Sequence, residues 1–254
     1  MKKPNTKKLI NQLLNKPVQV FEKFHEKTKI NIFKKSEKNK KIPESWKTIF
    51  YKSYPRLPQI FLPSPKKTIV SLDDALQGRA SASTFGEKPV TIEELSTFLH
   101  FTFGLRDETS GSRYYPSAGA RYPIEAYLIT LNSDLPAALY HYNIKPHALE
   151  LLLPITNLNV NKYFADYSLM ATAGCILILT AVFDRTIHKY GNRGYRHTLQ
   201  EAGCILEIAY LISNAISLNI CAVGGYKDDS LHTLLDIDGL HESIVGVFIF
   251  GQKR

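Results

Sequence analysis

Eight consecutive residues, Lys189-Tyr190-Gly191-Asn192-Arg193-Gly194-Tyr195-Arg196, combine three cations, two phenols and two glycines just ahead of a long apolar segment. Packing does not ask for that mixture. Free amines and phenols both titrate at about pH 10, so either becomes a general base only where its surroundings lower that value. Gly191 and Gly194 let the backbone take turns that other residues resist, bringing together side chains that a regular helix would splay apart. The plain alternative is a solvated basic turn that caps the next helix.

Three other stretches carry reactive or ligand-holding groups. Arg79-Ala80-Ser81-Ala82-Ser83-Thr84-Phe85 sets hydroxyls beside one guanidinium, the donors that a phosphate monoester takes. A Ser-rich loop has the same composition. Pro116-Ser117-Ala118-Gly119-Ala120-Arg121-Tyr122-Pro123 strings small residues together, so that a flat ligand could approach the backbone with Ser117 and Arg121 as hydrogen-bonding groups. A tight turn into the next strand would read the same way. Val223-Gly224-Gly225-Tyr226 is a Gly-Gly turn, and Lys253 and Arg254 are the last two residues. The sequence holds no P-loop, G-x-G-x-x-G, H-E-x-x-H or zinc spacing.

The elements that must position these groups follow from periodicity. Residues 5–28 have helical spacing broken at Pro17 and predict two short helices, and Lys34 to Lys41 reads as a charged linker. Trp46 to Leu62 mixes aromatics with prolines and reads as an extended strap lying over a partner surface. Ser71 caps a short helix through Gln77, and Thr91-Ile92-Glu93-Glu94 is a capping box opening a helix to about Phe103. Strands are expected at Ile124–Leu131, Ala137–Ile144, His147–Leu153, 173–183, 219–223 and Ser243–Gly251, with helices over 157–168, Thr198–Leu218 and Ser230–Leu235. Asp228 or Asp229 is expected to cap the last helix, and Glu201 and Glu207 to lie on the surface of the long one. Together these elements describe an α+β domain.

Composition narrows the function. A hydrophobic fraction of 44% and a mean hydropathy of −0.16 are those of a globular chain with a substantial core. The net charge of +9 is concentrated at one end, since residues 1–50 hold 14 of the 32 basic residues and 4 of the 23 acidic ones. The remainder is close to neutral, which argues against a nucleic-acid-reading face. No run reaches the roughly 20 apolar residues of a membrane span, and the Lys-rich start lacks an apolar signal-peptide core. Cys175, Cys204 and Cys221 sit in apolar segments without a C-x-x-C pair, as reduced thiols of a cytoplasmic protein do. With no metal or nucleotide motif, an organic cofactor is the expected source of reactivity.

The motifs taken in order resemble those of the nitroreductase-like flavoproteins, and among them the SagB-type dehydrogenases, or azoline oxidases. The likeness rests on residues 116–123, Leu139-Tyr140-His141-Tyr142, residues 189–196, Glu201-Ala202-Gly203 and residues 223–226, with Phe24-His25, Lys29 and Tyr54-Pro55-Arg56-Leu57-Pro58 upstream. It implies an α+β, nitroreductase-like fold with a mixed or antiparallel sheet around a long buried helix. It further implies a homodimer with FMN in a cleft shared by two subunits, and two regions, 1–67 as basic arm and strap and 68–254 as FMN-binding domain. Arg79, Ser81 and Ser83 would face the phosphate and ribityl chain, although Ala80 and Ser83 stand where the family motif has arginines. Pro116, Ser117, Ala118, Gly119 and Arg121 would contact the flavin, Gly224 and Gly225 would face its N5/O4 edge, and Lys253 and Arg254 would reach the phosphate. Lys189 and Tyr190 match the catalytic pair that takes a ring proton while FMN takes a hydride, on a peptide prepared by a partner cyclodehydratase. An NAD(P)H-dependent flavin reductase, or a non-catalytic subunit of a peptide-modifying complex, are the alternatives.

Overall fold

Apolar runs without polar alternation need cover on both faces, and here they form the middle of one sheet. The computed structural model describes residues 19–29, 43–155, 159, 162–165 and 169–254. Its strands are β1 (Gln59–Phe61), β2 (Leu105–Asp107), β3 (Ser112–Arg113), β4 (Ile124–Thr130), β5 (Ala138–Asn143), β6 (Ala148–Pro154), β7 (Cys175–Val182), β8 (Leu218–Ala222) and β9 (Glu242–Gln252). Seven of them join in the order β1-β6-β5-β4-β7-β9-β8, and every neighbouring pair is antiparallel. β2 and β3 form a separate hairpin.

The helices are α1 (Val20–Lys27), α2 (Leu72–Gln77), α3 (Ile92–Phe103), α4 (Asp184–Tyr190), α5 (Arg193–Ala215) and α6 (Asp228–Leu235). Side chains alternate across the sheet. Ile124, Ala126, Leu128, Leu177, Leu179, Phe248 and Phe250 meet Leu95, Phe98 and Leu99 of α3 and Ile205 and Ala209 of α5. On the other face Tyr127, Ile129, Ile176, Ile178 and Ile249 pack with Phe164 and with Leu231 and Leu235 of α6. Burial of each such side chain contributes about 1.5–3 kcal/mol, so this double layer is what keeps the sheet's ends in place.

Capping chemistry sets several boundaries. Ser71 Oγ accepts from Asp74 N at 3.1 Å, and Thr91 and Glu94 close a reciprocal capping box, so α2 and α3 begin where the side chains dictate. α5 starts five residues earlier than its apolar stripe predicts and ends at Ala215, absorbing Arg193 to Arg196 into its first turn. Gly194 is therefore helical. Asp228 and Asp229 occupy the first turn of α6 behind Lys227 rather than the cap. The helix expected over 157–168 lies largely outside the described residues, of which Phe164 bridges Tyr226. The first of the two N-terminal helices and the Lys34–Lys41 linker lie outside the described residues.

The chain divides into two units, Met1–Lys41 and Ile42–Arg254. The described part of the first is α1, closed at its start by Gln19 and Glu22. The strap belongs to the second unit. It leads into β1, which pairs with β6, and its Lys52 ammonium bonds Tyr127 Oη at 2.6 Å and Glu242 Oε2 at 2.7 Å. Among the described residues no helix is long and apolar enough to cross a membrane.

Candidate active site

Lys189 and Tyr190 end α4. The backbone of Gly191 then takes φ +55°, a left-handed value open to glycine, and α5 begins two residues later. The pair is thus helical, and Gly191 stops the helix after the pair instead of loosening the backbone around it. Successive helical residues point about 100° apart. Their long side chains nevertheless converge on one place. A Cβ built on Gly119 would lie 2.5 Å from Tyr190 Oη and 2.7 Å from Lys189 Nζ. Gly119 itself has φ +62°, so both its conformation and its surroundings exclude a side chain.

Two buried contacts hold α4 in place. Arg185 Nη1 lies 2.6 Å from Glu125 Oε1 on β4 and 3.0 Å from the carbonyl of Tyr122. Glu125 in turn reaches His141 Nε2, whose Nδ1 is 2.8 Å from Glu150 Oε2. Burial works against a charged Glu125, but the His141 hydrogen bond and the Arg185 charge outweigh it and hold the carboxyl down at about 2. The same carboxylates overcome burial at His141 and raise its pKa, so the chain of charges is mutually stabilised.

Behind the Pro116–Arg121 turn lies a residue that its type did not announce. Glu201 of α5, expected on the surface, is 3% exposed and lines a cavity of about 270 Å³ with Pro116, Ser117, Ala118, His197, Gln200 and Cys204. Burial pushes its carboxyl up to about 8, against the Ser117 hydrogen bond and the charges of Arg113 and Arg185. It therefore stands neutral near pH 7. Ser117 Oγ also accepts from Tyr122 N at 2.8 Å, so this hydroxyl ties the turn to itself and to α5. A signal was present in the sequence: Thr198, Glu201, Ile205 and Ala209 fall on one buried stripe of α5. Arg113, also overlooked, is buried with its guanidinium 4.6 Å from the Tyr122 ring and Nη1 2.6 Å from Tyr115 Oη.

The hydroxylic loop sits elsewhere, along the β8 edge of the sheet. Ala82 N bonds Ile220 O and Gly86 N bonds Gln252 O, both at 2.8 Å, pinning the loop beside β8 and the end of β9. Ser81 Oγ is 2.9 Å from Tyr210 Oη, and that oxygen also accepts from Ala222 N at 2.9 Å. The exposed Arg79 guanidinium lies 5.5 Å from the Tyr210 ring. Ser83, Lys253 and Arg254 line one open cleft of about 1170 Å³ together with Thr172, Ser217 and Gln252. Hydroxyls and cations beside a roomy cleft suit a phosphate ester. The Gly224-Gly225 backbone is exposed just past β8, with space above Gly224.

The expected residues thus fall into two groups. Arg79, Ser81, Ser83, Lys253 and Arg254 gather at the β8 edge, while Pro116, Ser117, Ala118, Gly119, Lys189 and Tyr190 gather where α4 meets α5. Neither the β8-edge cleft nor the cavity behind the Pro116–Arg121 turn is lined by residues of both groups. Arg121 spends its donors on backbone: Nε on Gly119 O at 2.9 Å, and Nη1 on Ser45 O and Thr48 O at 2.9 and 3.1 Å.

Comparison with known proteins shows the family and the fold. The model of the Nitroreductase family matches residues 76–252, a span that runs from the hydroxylic loop to the end of β9. Over 173 residues the chain is 31% identical to MJ1384 of Methanocaldococcus jannaschii, designated a nitroreductase, covering 66% of this chain and 85% of that protein. It is also 28% identical over 173 residues to the Microcin B17-processing protein McbC of Escherichia coli, covering 64% of this chain and 62% of McbC. Its fold superposes on a chain of the E. coli microcin synthetase McbBCD complex with truncated pro-MccB17 bound, with a TM-score of 0.60, 23% identity and coverage of 96% and 86% of the two chains.

Proposed function

Because the chain belongs to the Nitroreductase family of flavoprotein oxidoreductases, we propose that it is an FMN-dependent dehydrogenase that oxidises thiazoline or oxazoline rings of a modified peptide to thiazoles or oxazoles. The observation that carries this reading is the convergence of Lys189 Nζ and Tyr190 Oη on the bare Cα of Gly119. Aromatising an azoline removes a ring proton along with a hydride. FMN, when bound, supplies the hydride acceptor. A flavin reductase has no comparable need for a protein base, so a phenol and an amine sharing one small space fit the proton half of azoline oxidation. In this reading one of the pair accepts the ring proton and the other steadies the negative charge that develops on the ring. The missing side chain of Gly119 leaves room for the two groups to come together.

Arg79, Ser81, Ser83, Lys253 and Arg254 would hold the phosphate and ribityl chain, and Gly224 and Gly225 would offer backbone amides to the flavin edge. Since the β8-edge residues and the Lys189–Tyr190 corner lie at different places on one chain, we place them around one flavin contributed by two copies of the chain, a homodimer. The likeness to McbC, a microcin-processing protein, supports a peptide substrate, and we take a cyclodehydratase complex as the partner. The test is to purify Lys189→Ala and Tyr190→Phe proteins and assay them on an azoline-containing peptide. Both should retain FMN and lose at least about 100-fold in turnover, the range of a general base. Wild-type rates in both variants sink the mechanism. The 31% identity to MJ1384 favours a second reading, an NAD(P)H-dependent flavin reductase. Rapid anaerobic bleaching of the flavin by NADPH, indifferent to Lys189→Ala, is the result that would select it.

A further inference from the structure

The strap reaches the candidate pair. Glu44–Trp46 forms a single 3-10 turn, and the half-buried Trp46 ring lies with its centroid 5.8 Å from Lys189 Nζ. That is within the range over which an aromatic face attracts an ammonium. Lys189 Nζ is also 5.5 Å from the Tyr190 ring, so the ammonium is within reach of two aromatic faces. Arg121 clasps the same turn from below: one guanidinium bonds the carbonyls of Ser45 and Thr48 on the strap and of Gly119 in the turn beneath the pair. Ser45 Oγ stands 3.5 Å from His188 Nε2, next to Lys189 in the chain. A strap that served only to lie over the sheet would need none of these contacts, since Lys52 already fastens it to Tyr127 and Glu242.

We infer that strap residues Ser45 to Thr48 are part of the active site, with Trp46 the positioning residue that holds the Lys189 ammonium over Gly119. This rests on the azoline reading for its chemistry, but the contact itself does not. Lys189 is a flexible four-carbon stem, and its side chain is only partly buried. Without a face to lie against, its ammonium would be spread over many rotamers, few of them beside Tyr190 Oη. The Trp46 indole N–H is enclosed and has no acceptor among the described residues, so what the site uses is the ring face and not the polar edge. Phenylalanine is then a conservative replacement and leucine is not.

Trp46 is the single tryptophan of the chain, so its emission reports on this contact directly. In the full-length protein Lys189→Met should shift the Trp46 emission maximum, whereas Lys67→Met, on exposed chain elsewhere, should leave it in place. Trp46→Leu should lower kcat on the azoline peptide by about tenfold or more at unchanged FMN content, and Trp46→Phe should restore it to within about threefold. Emission that ignores Lys189→Met, or a Trp46→Leu enzyme as fast as wild type, overturns the inference. Emission that answers to Lys189→Met in a protein that oxidises no azoline peptide supports the strap contact and removes the proposed reaction instead.

Discussion

Arg185 on α4 is bonded to Glu125 on β4 at 2.6 Å, one helical turn before Lys189. The register of that short helix, and hence where its last two side chains point, is fixed by a charge pair within the protein rather than by helix propensity. Seven residues make too few internal hydrogen bonds to stand alone. Removing one partner should therefore cost more than a surface ion pair would.

Arg185→Met would leave Glu125 charged and enclosed with only His141 as partner, a loss of about 3–5 kcal/mol in unfolding free energy. Chemical denaturation measures it. The pH dependence has a definite sign. Glu125 is held at about 2, below its ordinary 4.5, so its contribution is complete above pH 4.5 and drains away as pH falls toward 2. Arg185→Met should flatten that acid limb.

Gly119→Ala tests the meeting point of the pair. The new methyl would sit 2.5 Å from Tyr190 Oη and 2.7 Å from Lys189 Nζ on a backbone at φ +62°. We expect about 1–2 kcal/mol of destabilisation, small beside a turnover loss of about 100-fold on an azoline peptide. Retained turnover would show that the pair does not work from this position.

Glu201→Gln should alter stability with the opposite pH sense from Glu125. The folded carboxyl titrates at about 8 and the unfolded one near 4.5, so the folded state holds the extra proton between these values. Wild-type stability should fall as pH rises from 4.5 to 8 and then level off. Arg113 from β3, Arg185 from α4 and Ser117 from the turn face this carboxyl and already oppose its burial. The glutamine variant, neutral throughout, should melt with a shallower pH slope and gain on wild type at pH 8.

Tyr210→Phe should act on cofactor retention. Its hydroxyl is the link between Ser81 and Ala222 N, and so between the hydroxylic loop and β8. Losing both bonds loosens the loop at Ser81 while its backbone bonds to β8 and β9 remain, and we expect FMN affinity, followed by flavin fluorescence, to weaken about tenfold, the equivalent of one net hydrogen bond.

Much of this arrangement was written in local chemistry. The capping residues Ser71, Thr91 and Glu94 and the apolar runs of β4, β7 and β9 each declare an element within a few residues, because they satisfy backbone groups or faces that have no other solution. The geometry of Lys189 and Tyr190 was less legible. That they are helical depends on Arg185 finding Glu125 some 60 positions away, which no local pattern encodes. Glu201 was misread because its type was weighed above its place on the α5 stripe.

The separation of the β8-edge cations from the Lys189–Tyr190 corner has a genetic meaning. If each reaction centre takes one group from each copy, two defective alleles, one lacking Lys189 and the other lacking Lys253 and Arg254, can repair each other. Co-expressed, they would assemble some mixed pairs in which one centre draws both of its groups from intact halves and the other centre inherits both lesions. Complementation between two dead parents would then report shared construction, and strict recessiveness in every combination would assign each centre to a single polypeptide.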